Sequence, residues 1–508
     1  MDATMMHEPL GTAAIFAHGE RIHASSRIGL FDGEQMTWRS YAETANRARR
    51  LATALRSAGV HKNTRVATLS WNDFAHFEAY LAVPAMGAVL HTLNLRLHPD
   101  QVRYIMADAG DAFLIADGDL LAGLLPQINS LDALKHILVT GNATRLAGLE
   151  KPWTLYEDFI ADHEPIVEFP DIEETAAAAT CYTSGTTGNP KGVVYSHRTI
   201  YLHSLASMAT NAFALGNSDK ILLLPPMFHA NAWGLPYSGW LAGADFVLPG
   251  PNLQPEAIRR MIRGTAPTFT ATVPTILNDL LRIDAKDPVD MQSFRVIVVG
   301  GSAVSEGLIA EVERSWNVPL IQGWGMTETS PLCVLSHPAA DASDEEARRL
   351  RAKSGRPVAG VRVRLVDDDG KRLSEDGKTI GRLQLRRDSG ITRPLAHLGD
   401  EALGDGSHRF EIRTARTEQA QAEHKPDRTC SQQCERPRAR GPQHHRHQPD
   451  ADHRRCGDDF PEPGKNQAGQ QRPERHEAAL CATTPQSEQS HCGRADPEKH
   501  RYHGRDNS

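Results

Sequence analysis

The sequence lacks the features of membrane-spanning, secreted or disulfide-stabilised proteins. No run of about 18 apolar residues offers a membrane span, and the first residues show neither the basic nor the apolar segment of a signal peptide. Only Cys181 and Cys333 precede residue 411, so no disulfide framework supports the fold there. A net charge of −7 gives no general basic excess for binding nucleic acid. These absences predict a cytoplasmic protein.

Large apolar residues almost disappear from the last part of the chain. Residues 411–508 contain only Ile412, Phe460, Leu480 and Tyr502 from the aliphatic, methionine and aromatic groups. So few side chains bury too little surface to offset the conformational entropy lost on folding. We therefore expect a disordered tail rich in Arg, His, Gln and Pro over 411–508, and a transition of uncertain register over 387–410.

Residues 1–386 alternate short apolar runs with amphipathic segments. Residues 40–59 have apolar positions at helical spacing, 66–69 are typical of a buried strand, and 77–86 of a helix. Further strand-like runs occupy 88–90, 113–115, 136–139, 220–224, 245–248, 268–272 and 295–299. This alternation predicts an α/β fold with parallel strands. The runs 362–367 and 379–385 instead predict an antiparallel pair around a turn at 368–370.

The most informative string is Tyr-Thr-Ser-Gly-Thr-Thr-Gly-Asn-Pro-Lys-Gly, residues 182–192. Its glycines and hydroxyl residues form a loop with many free backbone N–H groups, which can wrap phosphate oxygens. The string does not fit the Walker A pattern. A polar surface turn is the weaker alternative, because the string is so particular. The predicted phosphate-binding residues are Thr183, Ser184, Gly185, Thr186, Thr187, Gly188 and Lys191.

A second string, Gln-Gly-Trp-Gly-Met-Thr-Glu-Thr, occupies residues 322–329. Its carboxylate suits Mg²⁺, which takes hard oxygen ligands and bridges phosphates. Alone, a Thr-Glu pair is more often a solvated helix start. Beside the first string, the functional interpretation is favoured.

Together the two strings resemble the signatures of the adenylate-forming superfamily, which includes acyl-CoA synthetases, luciferases and peptide-synthetase adenylation domains. The resemblance covers roughly residues 37 to 385 and implies a large, multi-layer adenylating domain of the acyl-CoA synthetase type over 1–386. ATP and CoA would be substrates, with Mg²⁺ at Glu328. It further implies that Trp324 packs on adenine and Thr327 contacts the α-phosphate. The implied catalytic residues are Thr183, Lys191, Thr327 and Glu328, and the further ATP-binding residues are Gly301, Ser302, Gln322, Gly323, Trp324, Gly325, Met326 and Thr327.

Two weaker strings predict the acyl side of the site. Residues 300–303 follow a strand-like run, where α/β sheets bind ligands. Residues 226–233 resemble a substrate-side loop of long-chain fatty acyl-CoA synthetases, in which a Trp at the position of Trp233 gates an acyl tunnel; 94–97 also resemble that subgroup. A partly buried His and Trp in a loop core is an equal alternative for 226–233 taken alone. The predicted acyl-pocket residues are His229, Asn231, Trp233 and Gly300. A fatty acid is the preferred substrate, and aryl acids remain open because pocket shape decides chain length.

The resemblance ends after Arg386. Family members continue with Tyr/Phe-Arg-Thr-Gly-Asp, whose Asp holds the ribose, and with a small lid domain carrying a Lys that contacts the substrate carboxylate. Residues 387–508 contain neither string: Arg413 and Thr414 are followed by Ala, and no tail lysine has the Ser/Thr-x-x-Gly-Lys context. We expect the tail to replace the C-terminal lid domain, which is absent, and interpret the change as a shift of reading frame between about 386 and 409.

Three functions remain open. The first is an acyl-CoA ligase, the second a catalytically impaired remnant that binds ATP and acyl ligand, and the third a nucleic-acid-binding protein acting through the basic tail. Cys430, Cys434, His447 and His453 have the spacing of a C2H2 zinc finger, but no aromatic residue or Leu between the pairs supplies a core. The expected partners are therefore ATP, fatty acid and CoA rather than a specific nucleic acid. Peripheral membrane contact and a homodimer are compatible with the sequence.

Overall fold

A computed structural model describes residues 4–183, 189–376 and 379–386, and the backbone alone at Arg387 and at Phe410–Arg413. These residues all belong to the first of two units into which the chain divides, Met1–Asp427. The predicted loop residues 184–188 and most of the predicted transition and tail lie outside the described residues.

The described residues form nineteen strands in three sheets. The strands are β1 (Arg27–Phe31), β2 (Met36–Ser40), β3 (Arg65–Leu69), β4 (Val89–Thr92), β5 (Phe113–Asp117), β6 (His136–Thr140), β7 (Trp153–Leu155), β8 (Ala177–Thr183), β9 (Lys191–Ser196), β10 (Lys220–Leu222), β11 (Asp245–Leu248), β12 (Phe269–Thr272), β13 (Val296–Val299), β14 (Leu320–Gly325), β15 (Leu332–Leu335), β16 (Arg356–Pro357), β17 (Val361–Val366), β18 (Arg382–Arg387) and β19 (Phe410–Arg413).

Thirteen α-helices of the described residues connect and cover the strands. They are α1 (Thr12–Ile22), α2 (Tyr41–Ser57), α3 (Phe74–Ala85), α4 (Pro99–Ala109), α5 (Gly118–Ala122), α6 (Leu125–Asn129), α7 (Tyr156–Ala161), α8 (His197–Met208), α9 (Leu235–Ala242), α10 (Pro255–Thr265), α11 (Pro274–Asp284), α12 (Glu306–Trp316) and α13 (Asp344–Arg351). None of them is both long and apolar enough to cross a membrane.

The predicted helices and parallel strands are confirmed with small shifts of their ends. Helix α2 begins after Ser40, whose side chain accepts from the backbone N–H of Glu43 while the Glu43 carboxylate accepts from that of Ser40. This reciprocal capping box satisfies two free donors of the first turn. Helix α3 begins three residues earlier than predicted, because the Asp73 carboxylate accepts from the backbone N–H of His76 at 2.8 Å and caps it there.

The largest sheet has nine strands in the order β16-β15-β14-β13-β12-β10-β11-β1-β2. Its six central strands, β14 to β1 in that order, pair in parallel, and the antiparallel strands lie at the two edges. The carboxyl ends of parallel strands meet at one edge of a sheet, the usual place for a ligand site. The segments that follow β10, β13 and β14 therefore meet there.

The second sheet has seven strands in the order β7-β6-β5-β3-β4-β8-β9. All neighbouring pairs are parallel except β8 and β9, which form an antiparallel hairpin. The predicted phosphate loop joins these two strands, so the sheet fixes both of its ends.

The third sheet is antiparallel, in the order β17-β18-β19. The predicted pair 362–367 and 379–385 is confirmed as antiparallel, but the turn is not a simple hairpin. Val366 first bridges to Arg372, and the paired strand begins only at Arg382. Strand β19, Phe410–Arg413, crosses the predicted boundary between 410 and 411. Its pairing with β18 provides backbone hydrogen bonds that the local composition does not reveal.

Two helices, α3 and α9, are buried along their whole length. A helix that is apolar all round belongs in the interior. Trp240 of α9 stacks on Tyr41 of α2 with ring centroids 4.0 Å apart. The Trp240 indole N–H also donates to the carbonyl oxygen of Phe16 in α1 at 3.1 Å. These contacts hold α9, and with it the turn Ala230–Gly234 that precedes it, against two other helices, α1 and α2.

Candidate active site

The first signature string is a β-hairpin. Strand β8 ends at Thr183, β9 begins at Lys191, and these two residues are paired directly across the hairpin. Thr183 is half-buried and Lys191 is exposed. The five residues between them that were predicted to bind phosphate, 184–188, lie outside the described residues. The hairpin thus places the two ends of the loop beside each other.

Side-chain contacts of Tyr182 support the start of this hairpin. The Tyr182 hydroxyl donates to the Asp108 carboxylate at 2.6 Å, and burial followed by Asp108 raises the pKa of Tyr182, which keeps it protonated. The ring of His91 lies 5.1 Å from that of Tyr182, and its Nδ1 is 2.8 Å from the buried Asp111 carboxylate. Tyr182 is therefore held from two sides immediately before the loop.

The second string runs from β14 into a tight turn. A Cβ at Gly325 would lie 2.0 Å from the carbonyl oxygen of Pro331, so only glycine allows this approach. The backbone N–H of Met326 donates to the same oxygen at 3.0 Å, and the Thr329 hydroxyl donates to it at 2.7 Å. The turn Thr327–Thr329 is thereby tied to Pro331, the residue that directly precedes β15.

A direct hydrogen bond joins the two strings. The Tyr195 hydroxyl of β9 donates to the backbone carbonyl oxygen of Thr327 at 2.7 Å, across 132 positions of sequence. The donor and the acceptor are both buried. This hydrogen bond therefore fixes the position of the β8–β9 hairpin relative to the turn at Thr327 and Glu328.

The segment after β10 carries an unusual left-handed turn. Ala230, Asn231, Ala232 and Trp233 all have φ between 45° and 58°, and Gly234 has φ of 78°. Left-handed backbone costs about 1–2 kcal/mol per non-glycine residue, so the surrounding structure must hold this turn. The Asn231 side-chain oxygen accepts from the Tyr80 hydroxyl at 3.2 Å and from Cys181 Sγ at 3.3 Å.

These segments enclose one pocket of about 510 Å³ at the carboxyl edge of the large sheet. It contains eleven of the predicted site residues. They are Thr183, His229, Trp233, Gly300, Gly301, Gly323, Trp324, Gly325, Met326, Thr327 and Glu328. Residues predicted for phosphate, adenine, metal and acyl binding therefore share one cavity.

Four predicted site residues that the structure describes do not line this pocket. Lys191 is exposed at the start of β9, and Ser302 is exposed beyond Gly301. Gln322 is buried below the pocket, where its side-chain oxygen accepts from the backbone N–H of Val304 at 3.2 Å. Asn231 faces away from the pocket and braces the left-handed turn.

Sequence reasoning missed part of the pocket wall. The lining residues that were not assigned to the site are Asn94, Leu97, Tyr182, Pro190, Phe213, Ala230, Val298, Pro331 and Leu332. Tyr182 and Pro190 belong to the first string, and Pro331 follows the second by two residues, so proximity to a motif was an available signal. Phe213 lies in a loop after α8 and belongs to no motif.

His229 lines the pocket. Burial lowers the pKa of His229 below the ordinary value for histidine, and the positive charge of Arg96 lowers it further. His229 is therefore neutral at neutral pH and can serve as a hydrogen-bonding group without adding charge.

The chemistry of the site suits a magnesium ion brought in with a nucleotide. No cluster of three or more His, Cys, Asp or Glu side chains occurs in the described part of the chain. Mg²⁺ does not need one, since it usually binds through one or two carboxylates, water and substrate phosphates. Glu328 supplies a carboxylate at the pocket and fits that pattern.

Comparison with known proteins decides the family. The model of the family described as AMP-binding enzyme matches residues 18–393, well over half of the chain. The chain belongs to the AMP-binding enzymes. Its matched region includes both signature strings and the whole described pocket.

The AMP-binding enzyme has relatives that are acid–CoA ligases. It is 38% identical over 393 residues to 3-methylmercaptopropionyl-CoA ligase of Ruegeria pomeroyi, covering 75% of this chain and 72% of the relative. It is 41% identical over 394 residues to long-chain-fatty-acid–CoA ligase of Thermus thermophilus, covering 76% and 70%. A solved long-chain-fatty-acid-CoA ligase from Archaeoglobus fulgidus shares the fold, with a TM-score of 0.67 at 19% identity over 78% of each chain. The chain is thus a member of an enzymatic family of adenylate-forming acyl-CoA ligases.

Proposed function

We propose that this chain activates an aliphatic carboxylic acid with ATP and passes the acyl group to CoA. In the first step a carboxylate oxygen attacks the α-phosphorus and pyrophosphate leaves. In the second the CoA thiolate attacks the acyl carbon and AMP leaves. The observation that carries the proposal is a single pocket in which Thr183, Thr327 and Glu328 lie together with Trp233 and Gly300.

The polar side of the pocket suits a nucleotide. Adenylation needs positioning and charge neutralisation rather than a covalent side-chain nucleophile. Thr183 and Thr327 present hydroxyls for phosphate oxygens, and Trp324 presents a half-buried ring for adenine. Lys191 lies opposite Thr183 at the base of the phosphate loop and not in the pocket. We therefore assign it to the β- and γ-phosphates. Mg²⁺ bound at Glu328 would neutralise phosphate charge.

The other side of the pocket is apolar and suits an alkyl group. It is formed by Phe213, Trp233, Val298 and Leu332 around the bare backbone of Gly300. Burial of aliphatic surface against such side chains is the main source of affinity for a fatty acid. The relatives named for a fatty acid and for a methylmercapto acid support an aliphatic rather than an aromatic substrate for this chain.

ATP–pyrophosphate exchange tests the proposal directly. The full-length chain is incubated with ATP, Mg²⁺, labelled pyrophosphate and single acids from propionate to dodecanoate, with benzoate as the aryl comparison. We expect label to enter ATP only when an aliphatic acid is present. Exchange that is independent of acid, or strongest with benzoate, would contradict it. AMP binding measured by calorimetry reports the nucleotide half separately.

A second proposal concerns the rate of that reaction. Residues 387–508 carry neither the Arg-Thr-Gly-Asp string nor the lysine context of the family. We propose that the adenylating domain is residues 1–386 and that turnover is low because these groups are missing from the remainder. The assignment of the tail, including its zinc-finger spacing, concerns residues outside the described ones. The cytoplasmic location, the homodimer, peripheral membrane contact and the absence of a nucleic-acid partner stay predictions.

A further inference from the structure

The end of helix α4 contacts two neighbouring strands of the seven-stranded sheet. Gly110, with φ of 64°, ends the helix and turns the chain towards β5. Asp108 lies before this turn and accepts from the Tyr182 hydroxyl of β8 at 2.6 Å. Asp111 lies after the turn, and its carboxylate is 2.8 Å from Nδ1 of His91 in β4. Each of the two acidic side chains therefore holds a ring of the sheet.

The two rings lie on the face of the sheet that α4 covers. Strands β4 and β8 are parallel neighbours in which His91 pairs with Thr180. Side chains alternate along a strand, so Tyr182 shares the face of Thr180 and lies diagonally across from His91. The ring centroids of Tyr182 and His91 are 5.1 Å apart, and Tyr182 also packs on the apolar cluster that contains Val102 of α4. The position of Tyr182 is therefore set by both α4 and β4.

Tyr182 also lies at the base of the predicted phosphate loop. Tyr182, Thr183 and Pro190 all line the active-site pocket. Across the hairpin, Thr183 pairs with Lys191. A hydroxyl such as that of Thr183 binds a phosphate oxygen only within about 3 Å, and the groups of a functional site need placement to within about 0.5 Å. A shift of Tyr182 would therefore move the base of the loop away from the phosphates.

The hydrogen bond between Tyr182 and Asp108 differs from a similar one in the core. Tyr156 donates to the buried Glu78 carboxylate, also at 2.6 Å, and neither of these described residues lines the pocket. A buried carboxylate needs such partners, because leaving it without them costs free energy. Asp108 is exposed, so water can solvate its carboxylate, and the stability of the fold depends less on this bond. Its main consequence is the placement of Tyr182.

We propose that Tyr182, held by Asp108, is a positioning residue that sets the affinity of the site for the β- and γ-phosphates of ATP. The hydrogen bond fixes the ring at the base of the loop, and the His91 ring packs against it. The inference rests on the proposed function, because that function assigns the outer phosphates to this loop. AMP has no β- or γ-phosphate, so its affinity does not depend on Tyr182. The ratio of the two nucleotide affinities therefore separates positioning from general stability.

Calorimetric titration of the full-length chain with α,β-methylene-ATP and with AMP, both with Mg²⁺, measures this ratio. No turnover intervenes, because the methylene bridge cannot be cleaved. Tyr182→Phe removes the hydroxyl and keeps the ring. We expect binding of α,β-methylene-ATP to weaken about tenfold and AMP affinity to change less than about threefold, a difference of the size of one hydrogen bond. A wild-type ratio in Tyr182→Phe would overturn the inference.

Tyr156→Phe is the matched control. It removes a hydrogen bond of the same kind and length, between a tyrosine hydroxyl and a carboxylate, away from the pocket. We expect this variant to keep the wild-type ratio of nucleotide affinities even where it lowers stability. A change of the ratio as large as that in Tyr182→Phe would mean that general destabilisation explains both, and would refute the positioning role.

A pair of variants at Asp108 separates position from charge. Asp108→Asn keeps a side-chain oxygen that accepts from Tyr182, whereas Asp108→Ala leaves no acceptor, and both remove the same negative charge. We expect the alanine variant to bind α,β-methylene-ATP about tenfold more weakly than the asparagine variant, with their AMP affinities within about threefold of each other. Equal affinities of the two variants for α,β-methylene-ATP would contradict the role of the hydrogen bond.

The same titrations distinguish failure of the inference from failure of the proposed function. A wild-type chain that binds neither nucleotide contradicts the proposed function and the inference with it. A wild-type chain that binds both, with the ratio unchanged in Tyr182→Phe, contradicts the inference alone. If Tyr182→Phe does not fold, the two Asp108 variants still decide, because they alter an exposed side chain.

Discussion

The Trp233 ring lies against the backbone of Gly300, with no room for a side chain between them. A Cβ built on Gly300 would lie 3.1 Å from the ring and 2.8 Å from the carbonyl oxygen of Gly323. Gly300 directly follows β13 and Gly323 belongs to β14, so this contact joins the predicted acyl side of the pocket to the second signature string.

Gly300→Ala should weaken binding of the acid more than binding of the nucleotide. The new methyl group must displace Trp233 or the β14 backbone, and overpacking of this kind costs about 1–3 kcal/mol. We expect the KM for the acid in ATP–pyrophosphate exchange to rise about tenfold, with AMP affinity changed less. Gly307→Ala is the control, since its Cβ would meet nothing closer than 3.9 Å. Equal effects of the two variants would contradict the packing argument.

Glu328→Gln should reduce exchange and raise the Mg²⁺ concentration needed for half-maximal rate. Loss of the carboxylate removes the charged ligand that the pocket offers to the metal. We expect a loss of about a hundredfold, a size common for removal of one transition-state-stabilising group. Glu311→Gln, on the exposed face of α12, removes the same charge away from the pocket and should leave the rate unchanged. An unaltered Mg²⁺ requirement in Glu328→Gln would argue against the metal role.

Asn231→Ala should destabilise the protein more than Asn63→Ala, because Asn63 has the same left-handed backbone conformation but is exposed. Asn231 loses its contacts with Tyr80 and Cys181, whereas Asn63 has φ of 66° but is exposed. Alanine is disfavoured in both backbones, by about 1 kcal/mol. The buried site adds the cost of a lost hydrogen bond, about 1–3 kcal/mol. Urea unfolding of both variants measures the difference; equal losses would mean that the contacts of Asn231 contribute nothing.

A transplanted lid domain should raise turnover. Replacing residues 388–508 by the whole corresponding C-terminal portion of the Thermus thermophilus relative supplies the ribose-binding string and the lid-domain lysine that the resemblance implies. The transplanted segment therefore starts at the position of the relative that aligns with residue 388, so that it includes the ribose-binding string that precedes the lid domain. We expect exchange to rise at least about a hundredfold, the order of magnitude that one positioned catalytic group contributes. The control is the same chimera with that lysine changed to alanine. An unchanged rate in the chimera would show that the missing groups do not limit the reaction.

Protonation of His197 should make the fold acid-sensitive. Burial lowers the pKa of His197 to about 4 from the ordinary 6.5. Its Nδ1 lies 3.4 Å from the backbone N of Thr12 and 2.9 Å from the Thr12 hydroxyl. Because the folded-state pKa is the lower one, this contribution to stability is complete above about pH 6.5 and is lost as pH falls towards 4. The loss amounts to about 3 kcal/mol.

The His197→Asn variant isolates that contribution. Two other buried groups also make stability depend on pH. Burial lowers the pKa of His76 to about 4, so His76 likewise destabilises the fold as pH falls. Burial raises the pKa of Asp73 to about 6, so Asp73 has the opposite effect. Urea unfolding between pH 7 and 4 should therefore show a shallower decline in the variant than in the wild type. Parallel curves would contradict a pH-linked role of His197.

Periodicity and motif content made much of the fold predictable. The helix at 40–59 has its apolar residues on one face and the buried strand runs are bounded by polar residues, so local pattern and tertiary burial agree. The strand Phe410–Arg413 could not be predicted, because its pairing with β18 depends on backbone hydrogen bonds from a segment far away in sequence. Phe213 was not predicted as a pocket residue because its loop contains no recognisable motif.

The sequence by itself determined the chemistry of this protein. Glycines that permit close backbone approach, hydroxyls and a carboxylate in two strings are properties of residue type and spacing, and they predict a phosphate and metal side. The tertiary structure alone decided which residues share a cavity and where that cavity ends. Asn231 and Trp233 are two positions apart, yet the left-handed turn places Trp233 in the pocket and Asn231 outside it, against Tyr80 and Cys181. Such a backbone persists only through contacts with distant residues, and sequence spacing does not encode them.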